Sequence, residues 1–328
     1  MQRESNIELL RIIAMLMVMA LHICRYTLCN LEAATPFLSS FLPTFWEQAF
    51  CICVNLFILI SGYFGIRFSV KGLLSILFQC TFYTILIAAV VLLTTKGGKD
   101  QVGIATVIRS CLGIPYWFIP SYIILYILAP ALEAFKNSVS QENYLRILIC
   151  YFLAQAIYGV ISDAGRFHLG YSTLSFIGLY LLSGYIRRYR PKIFSLPWSI
   201  DFLVYFGITF LCAFISLRHP AAGDVAYNSP GAILASVYFF LPFTKIHFHN
   251  KAVNWLAISS FSIYLIHLNV FVSSGFKWFF QQIFLRVPDY RYFIISVPIL
   301  LCIGLSCILL DKIRLFAWNH LSVKTQTP

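Results

Sequence analysis

Apolar windows of about 17 to 25 residues, the length an α-helix needs to cross the hydrocarbon core of a bilayer, recur along the whole chain. They fall at 6–25, 43–64, 72–94, 117–135, 144–161, 171–186, 198–217, 230–244, 254–274 and 291–311. The pattern predicts an all-α polytopic membrane protein of about ten transmembrane helices, with residues 1–328 as one integral-membrane domain and no internal repeat. The stretch 97–115 is too polar at its start and too short later to cross, and predicts a loop carrying a surface-lying helix. The first window is expected to stay as a span. Glu8 and Arg11 lie within its start, and no small-residue cleavage pattern follows before Thr27.

Composition excludes a soluble globular domain, because 60% of residues are hydrophobic and only 11% charged, with a mean hydropathy of +0.81. The ten cysteines form no C-x-x-C pair, and Cys51 and Cys53 would point to different faces of a helix. They read as small apolar residues, neither a disulfide framework nor a metal site. The pair His247 and His249 has no evident third ligand, so no metal is expected. Lysine and arginine collect in alternate connections, at Arg67 and Lys71, Lys136 and Arg146, Arg187 to Lys192, Lys245 and Lys251, and Lys312 and Arg314. Cytoplasmic loops are the basic ones. Both termini are therefore expected in the cytoplasm, with Gly97, Gly98 and Gly223 outside. The net charge of +12 then needs no nucleic-acid partner, and serves anionic membrane lipids or the phosphates of a co-substrate.

The segment IELLRIIAMLMVMALHICRY, residues 7–26, keeps ionisable groups inside an apolar window. Arginine at the centre of a membrane helix costs about 2.5 to 3.5 kcal/mol on insertion scales, so such residues mark functional sites by default. Eleven residues separate Arg11 from His22, which puts them within about 20° on one helical face and about 16 Å apart along the axis. Glu8 sits one turn before Arg11 at an ion-pairing distance. The stripe Glu8, Arg11, Met15, Met19, His22 is expected to face the bundle interior. The competing reading has Arg11 snorkelling to the headgroups and His22 bonded to a carbonyl near the outer interface.

Three further segments join this one. They are VNLFILISGYFGIR at 54–67, YWFIPSYIILYILAP at 116–130 and ISSFSIYLIHLNVF at 258–271. With the arginine, ten residues, histidine spacing of the first window, they resemble the acyltransferase-3 family of integral-membrane acyltransferases, many of which O-acetylate bacterial surface polysaccharides. The motifs occur in the family's order over most of the chain. Two features depart from the pattern: Val54-Asn55 stands where an aspartate or glycine is common, and no Arg-x-x-Arg follows the third span. The roles of arginines beyond Arg11 are left open by that departure.

The resemblance implies a membrane O-acyltransferase of the bacterial inner membrane, moving an acetyl or other short acyl group from cytoplasmic acetyl-CoA to a hydroxyl of a cell-surface or lipid-linked polysaccharide. Acyl-CoA would be a co-substrate, with no tightly bound cofactor. Such chemistry needs a base for the hydroxyl proton, and His22, an imidazole of unperturbed pKa near 6.5, suits that role. Arg11, Arg67, Arg187 and Arg188 are candidates for the phosphates of the co-substrate. Glu8, Asn55, Ser61, Tyr63, Trp117, Tyr264 and His267 are candidate substrate contacts, and Ser61, Tyr63, Asn55 and Tyr264 are possible oxyanion donors. Each has a structural alternative. Ser61-Gly62 would permit close helix packing, Tyr116 and Trp117 would anchor in an aromatic belt, and Tyr264 with His267 would form an internal hydrogen-bonded pair. Asp163, Arg166 and His168 read as solvated charge in an outer loop. A transporter or flippase for a lipid-linked glycan or small solute would use the same intramembrane Arg and His, and only an enzyme leaves an acyl group on its product.

Overall fold

The computed structural model describes residues 4–28, 37–95, 102–162, 164–218 and 226–324. Asp163 and the expected outer-loop positions Gly97, Gly98 and Gly223 lie outside the described residues. The fold is all-helical, with no strand among the described residues. In chain order the helices are α1 (Ser5–Leu28), α2 (Phe37–Phe50), α3 (Cys53–Phe64), α4 (Val70–Thr94), the short α5 (Ile104–Cys111), α6 (Phe118–Ser138) and α7 (Gln141–Gln155). α7 runs on into a π-helical turn over Ala156–Ile161. There follow α8 (Thr173–Tyr189), α9 (Trp198–Arg218), α10 (Pro230–Lys245), α11 (Lys251–Ala257), α12 (Phe261–His267), α13 (Ser273–Arg286) and α14 (Tyr290–Lys324).

Local chemistry sets several of these boundaries. Ser69, Ser140, Ser172, Ser229 and Asn250 each precede a helix and accept a backbone N–H of its first turn with their side-chain oxygen, which satisfies an otherwise orphaned donor. Gly65 ends α3 with φ 77°, a left-handed conformation that costs glycine nothing.

Seven segments among the described residues are long and apolar enough to cross a membrane, one of them the α2–α3 pair over Ser40–Phe64. The expected ten are not all found by that measure. α8 and α10 have only 17 and 16 residues, and the window at 254–274 is not one helix. It breaks at Ile258–Ser260 and again after His267. Serine supplies the reason, since its hydroxyl competes for nearby carbonyls: Ser260 Oγ donates to Ala257 O at 2.9 Å and Ser262 Oγ to Ser259 O at 2.7 Å. Irregular backbone at membrane depth is tolerated where protein encloses it, and Ser259, Ser260, Ser262 and Asn269 are all buried. Residues 104–111 form the expected surface helix, largely exposed.

An inner and an outer set can be told apart by burial. In the apolar windows of α1 and of α2–α3, 67% and 61% of residues are buried, against 22–28% for α4, α6, α7, α9 and α14. Apolar residues such as Leu93, Leu203 and Ile294 point outward from the outer set, as lipid-facing residues do. α1 touches α2, α3 and α10 to α14 and is the hub of the bundle, while α3 packs most closely on α8. A Cβ on Gly62 would lie 2.2 Å from Tyr180 O, so the small residue is what lets those two backbones meet.

The two ends of the bundle differ in kind. At the end where α1 begins, Asn6 Nδ2 donates to Phe243 O at 2.7 Å, joining the start of α1 to the end of α10. Cations there cover the carbonyls left over at helix C-termini. Lys136 Nζ donates to Gly62 O (3.0 Å) and Glu133 (2.7 Å), Arg187 to Tyr63 O (2.7 Å) and Arg188 to Lys136 O (2.6 Å). Lys312 likewise reaches Trp255 O at 2.7 Å. We refer to this as the basic end. The opposite end, where α6, α8 and α10 begin, carries an aromatic cluster.

Candidate functional site

The inward stripe of α1 is present as expected. Met15 and Met19 are buried, Glu8 is buried, and Arg11 Nη1 donates to Glu8 Oε1 at 3.1 Å. Arg11 is 39% exposed at its side chain, and the space beside it is a cavity of about 440 Å³ between α1, α3, α4, α6 and α12. Ser61, Gln79, Tyr122, Tyr126 and Ser260 give it polar edges, and Met15, Phe57, Phe118 and Phe261 an apolar interior. Ser61 Oγ donates to Phe57 O (2.8 Å) and lies 3.3 Å from Tyr122 Oη. Arg67 lies in the exposed link between α3 and α4, its carbonyl accepting from Tyr126 Oη at 3.2 Å. Its backbone therefore adjoins the cavity at the basic end.

His22 lies beyond this cavity, two turns past Met15. The structure brings it against His267 of α12, with ring centroids 5.4 Å apart in an edge-on arrangement and His267 Nε2 3.5 Å from His22 Nδ1. His22 Nδ1 also lies 2.8 Å from Val18 O, and His267 Nδ1 is bonded to Ile263 O. Carbonyls only accept, so each Nδ1 carries a hydrogen and each Nε2 a lone pair. That polarity runs one way, from His22 Nδ1–H toward His267 Nε2, and it leaves Nε2 of His22 as the basic nitrogen. His267 is buried and His22 half-buried.

Tyr264 separates the cavity from the histidines. Its ring packs on Phe118 and Phe261, both of which line the cavity, and lies 6.4 Å from the His267 ring. The expected hydrogen bond between Tyr264 and His267 is not formed, because each helical imidazole reaches its own carbonyl four residues back. Tyr264 Oη is buried, and its hydrogen has no acceptor among the described residues.

Trp117 stands at the far end of the same group, half-buried, and is no exposed belt residue. Its ring is 4.4 Å from Tyr171 and 5.6 Å from Tyr227, which are 5.0 Å from each other. Tyr116 is buried too, donating to Leu265 O at 2.9 Å and accepting from Asn269 Nδ2 at 3.0 Å. Arg25, one turn after His22, donates to Tyr171 Oη at 3.0 Å and to Glu47 Oε1 at 3.1 Å. Asn55 holds this corner together, its amide donating to Tyr227 O (2.8 Å) and Ser236 Oγ (3.0 Å). The turn before Tyr171 places Arg166, His168 and Leu169 at φ 56°, 48° and 52°, a strained run of the kind found at functional sites.

Residues 4–310 match the family model of an acyltransferase domain, acyltransferase-3. The chain belongs to that family. No curated protein and no solved structure matches it. Family membership makes this a membrane acyltransferase, and the geometry then sorts the residues expected to serve it. Arg11 and Ser61 share one cavity, while His22, His267 and Tyr264 form a second group behind it. Tyr63, Arg187 and Arg188 line a separate cavity of about 480 Å³ at the basic end, with Glu133 and Lys136. Arg187 lies over the Tyr63 and Phe64 rings at 5.2 and 5.1 Å. Arg25, Glu47, Tyr171 and Tyr227 escape a reading of the sequence. Arg25 alone leaves a signal there, as the next position on the Arg11–His22 face.

Proposed function

We propose that the protein moves an acetyl or short acyl group from cytoplasmic acyl-CoA to a glycan hydroxyl, with His22 as general base. The observation that carries this reading is the His22–His267 pair on the face of α1 that also bears Arg11. Nε2 of His22 takes the proton from the acceptor hydroxyl as its oxygen attacks the thioester carbonyl carbon. The C–S bond of the tetrahedral intermediate then breaks, and the imidazolium returns the proton to the departing sulfur. His267 is a positioning residue that fixes the ring of His22. Tyr264 Oη is the strongest oxyanion donor, since Asn55 and Ser61 already donate elsewhere and Tyr63 lies at the basic end. Arg11 and Arg67 meet the phosphates at the cavity mouth. Arg187 and Arg188 each spend one terminal nitrogen on a carbonyl, and a guanidinium has five donors, so both keep donors for an anion.

In this reading the basic end faces the cytoplasm of a bacterial inner membrane, α8 and α10 cross as short inner helices, and with the broken 254–274 segment there are ten crossings and two cytoplasmic termini. Anionic lipid headgroups would flank that end. The test is to incubate purified protein with labelled acetyl-CoA and candidate glycans, free and lipid-linked. Label recovered on a glycan hydroxyl supports the proposal, and a glycan translocated across vesicles without gaining label supports a flippase instead.

A further inference from the structure

A third cavity, of about 630 Å³, opens on the outer side of the bundle between α7, α8 and α10. Its walls are almost wholly apolar. Leu148 and Phe152 of α7, Leu182 of α8 and Ile233 and Leu234 of α10 line it, and Leu153 and Leu234 are 58% and 48% exposed at its rim. Pro191 and Phe194 bound it toward the basic end, Asn228 and Pro230 toward the aromatic end. It is therefore a lateral groove running along the membrane normal.

Asn228 lines one end of the groove, with Gln155 bonded to it from behind. Gln155 Nε2 donates to Asn228 O at 3.3 Å and Asn228 Nδ2 donates to Gly159 O at 3.1 Å, which fixes both amide orientations. Gln155 Oε1 and Asn228 Oδ1 are left as acceptors with no donor among the described residues, in side chains only 1% and 2% exposed. Burying an acceptor without a donor is unfavourable, and native proteins keep few such groups. The π-helical turn at Ala156–Ile161 widens α7 at this point, a feature frequent at functional sites. Asn228 also follows directly on Tyr227 in the chain, so the groove's polar end lies one residue from the Trp117–Tyr171–Tyr227 cluster, whose rings do not themselves line the groove.

We propose that this groove seats the hydrocarbon chain of a glycosylated lipid, a hydroxyl of which donates to Asn228 Oδ1 and whose sugar extends toward the aromatic cluster. The lipid chain fits the apolar walls, a hydroxyl supplies the donor Asn228 Oδ1 lacks, and aromatic rings with polar handles suit a sugar with an apolar face and a hydroxyl rim. A phosphocholine head has no hydrogen-bond donor and leaves Asn228 Oδ1 unsatisfied. That the lipid is the acyl acceptor rests on the function proposed above, whereas its binding does not.

The test uses purified protein in phosphatidylcholine nanodiscs and a dodecyl glucoside with a diazirine in its chain. Photolabel is expected on the peptides containing Leu153 and Leu234. Dodecyl maltoside should displace it at about a tenfold lower concentration than dodecylphosphocholine, which has the same chain, a difference of about 1.4 kcal/mol. Asn228→Ala should abolish that preference, and Leu234→Trp, a change at the exposed rim, should reduce labelling several-fold with melting temperature and acyl-CoA retention unchanged. Equal displacement by the two competitors in the parent, or parental labelling of the groove in Leu234→Trp, overturns the proposal even where Asn228→Ala fails to fold. Since no acyl transfer is measured, a protein that acylates nothing can still bind selectively. One that acylates soluble glycans yet shows no preference defeats only the groove.

Discussion

The two ends of the bundle use cations differently. At the basic end Lys136, Arg187, Arg188 and Lys312 each donate to the carbonyl of a helix or its last turn, so much of that charge closes the backbone of short inner helices. At the aromatic end Arg25 donates to the side chains of Glu47 and Tyr171, and Tyr171 in turn packs against Trp117. Charge that serves the backbone accounts for its own presence. Charge set among side chains, beside an imidazole pair and a strained turn, is where the proposed function puts the acceptor. Under the proposed function, acceptor chemistry lies at the aromatic end, and the basic end combines backbone support with co-substrate entry through the Arg11 cavity.

The largest expected effect tests where the chemistry lies. General-base catalysis contributes about 10² to 10⁴ in rate, so His22→Ala should lose at least that much transfer while acyl-CoA binding and melting temperature stay near the parent. His22→Gln keeps the size of the side chain but cannot take a proton at neutral pH, and should be nearly as inactive. A structural histidine would give the reverse order, with Gln near the parent and Ala unstable. A folded and active His22→Gln protein would remove the catalytic centre from the aromatic half.

Sequence alone made the helical class, the inward stripe of α1 and the Glu8–Arg11 pair legible, because helical periodicity fixes which residues share a face. The inner and outer sets were not legible. Hydropathy reports that a residue is apolar, and both a lipid-facing Leu203 and a buried Leu179 are. Chain breaks at Ile258–Ser260 and Leu268–Val272 hid inside one apolar window, since enclosure by neighbouring helices lets irregular backbone sit at membrane depth. His22 and His267 were each named from their own segments, but their meeting is a tertiary contact between residues 245 apart. The aromatic cluster likewise draws single residues from three segments, and Glu47, the partner of Arg25 beside it, lies on α2, where nothing in the local pattern marks it.

Arg11 should show the next largest effect. Its side chain lines the cavity on the basic side, and a hydrogen bond to a charged group is worth about 1.5 to 3 kcal/mol. Arg11→Ala should therefore weaken acyl-CoA binding about ten- to a hundredfold by equilibrium binding of labelled acyl-CoA. Arg11→Lys should recover part of this, because lysine keeps the charge and loses the planar fork. If both variants bound acyl-CoA like the parent while turnover fell, Arg11 would belong with the reaction centre and the division between the ends would blur.

Lys136 sharpens the comparison from the other side. It is buried against Gly62 O and Glu133, and removing one partner of a buried bond leaves the others unsatisfied at about 1 to 3 kcal/mol. Lys136→Met should lower the melting temperature of detergent-solubilised protein by several degrees, while transfer per folded molecule changes less than twofold. Gly62→Ala, which forces a Cβ onto Tyr180 O, should be destabilising on a similar scale of about 1 to 3 kcal/mol. A Lys136→Met protein that melts like the parent but binds acyl-CoA poorly would show that the basic end is built around the ligand.

The smallest effect is expected at Trp117, and it decides whether the aromatic end holds a ligand or only packs. Trp117→Ala would leave a cavity beside Tyr171, Tyr227 and Phe176, and would confound binding with stability. Trp117→Phe keeps a ring in place with less surface for a sugar. An aromatic contact contributes about 0.5 to 1.5 kcal/mol beyond area burial, so the KM for the glycan should rise between about two- and tenfold, with the KM for acyl-CoA unchanged. Arg11→Lys should give the mirror image, raising the KM for acyl-CoA and leaving that for the glycan. A packing role predicts a lower melting temperature with neither KM moved. If Trp117→Phe raised the KM for acyl-CoA instead, the co-substrate would extend past Tyr264 to the aromatic cluster, and the two ends would be parts of one binding path.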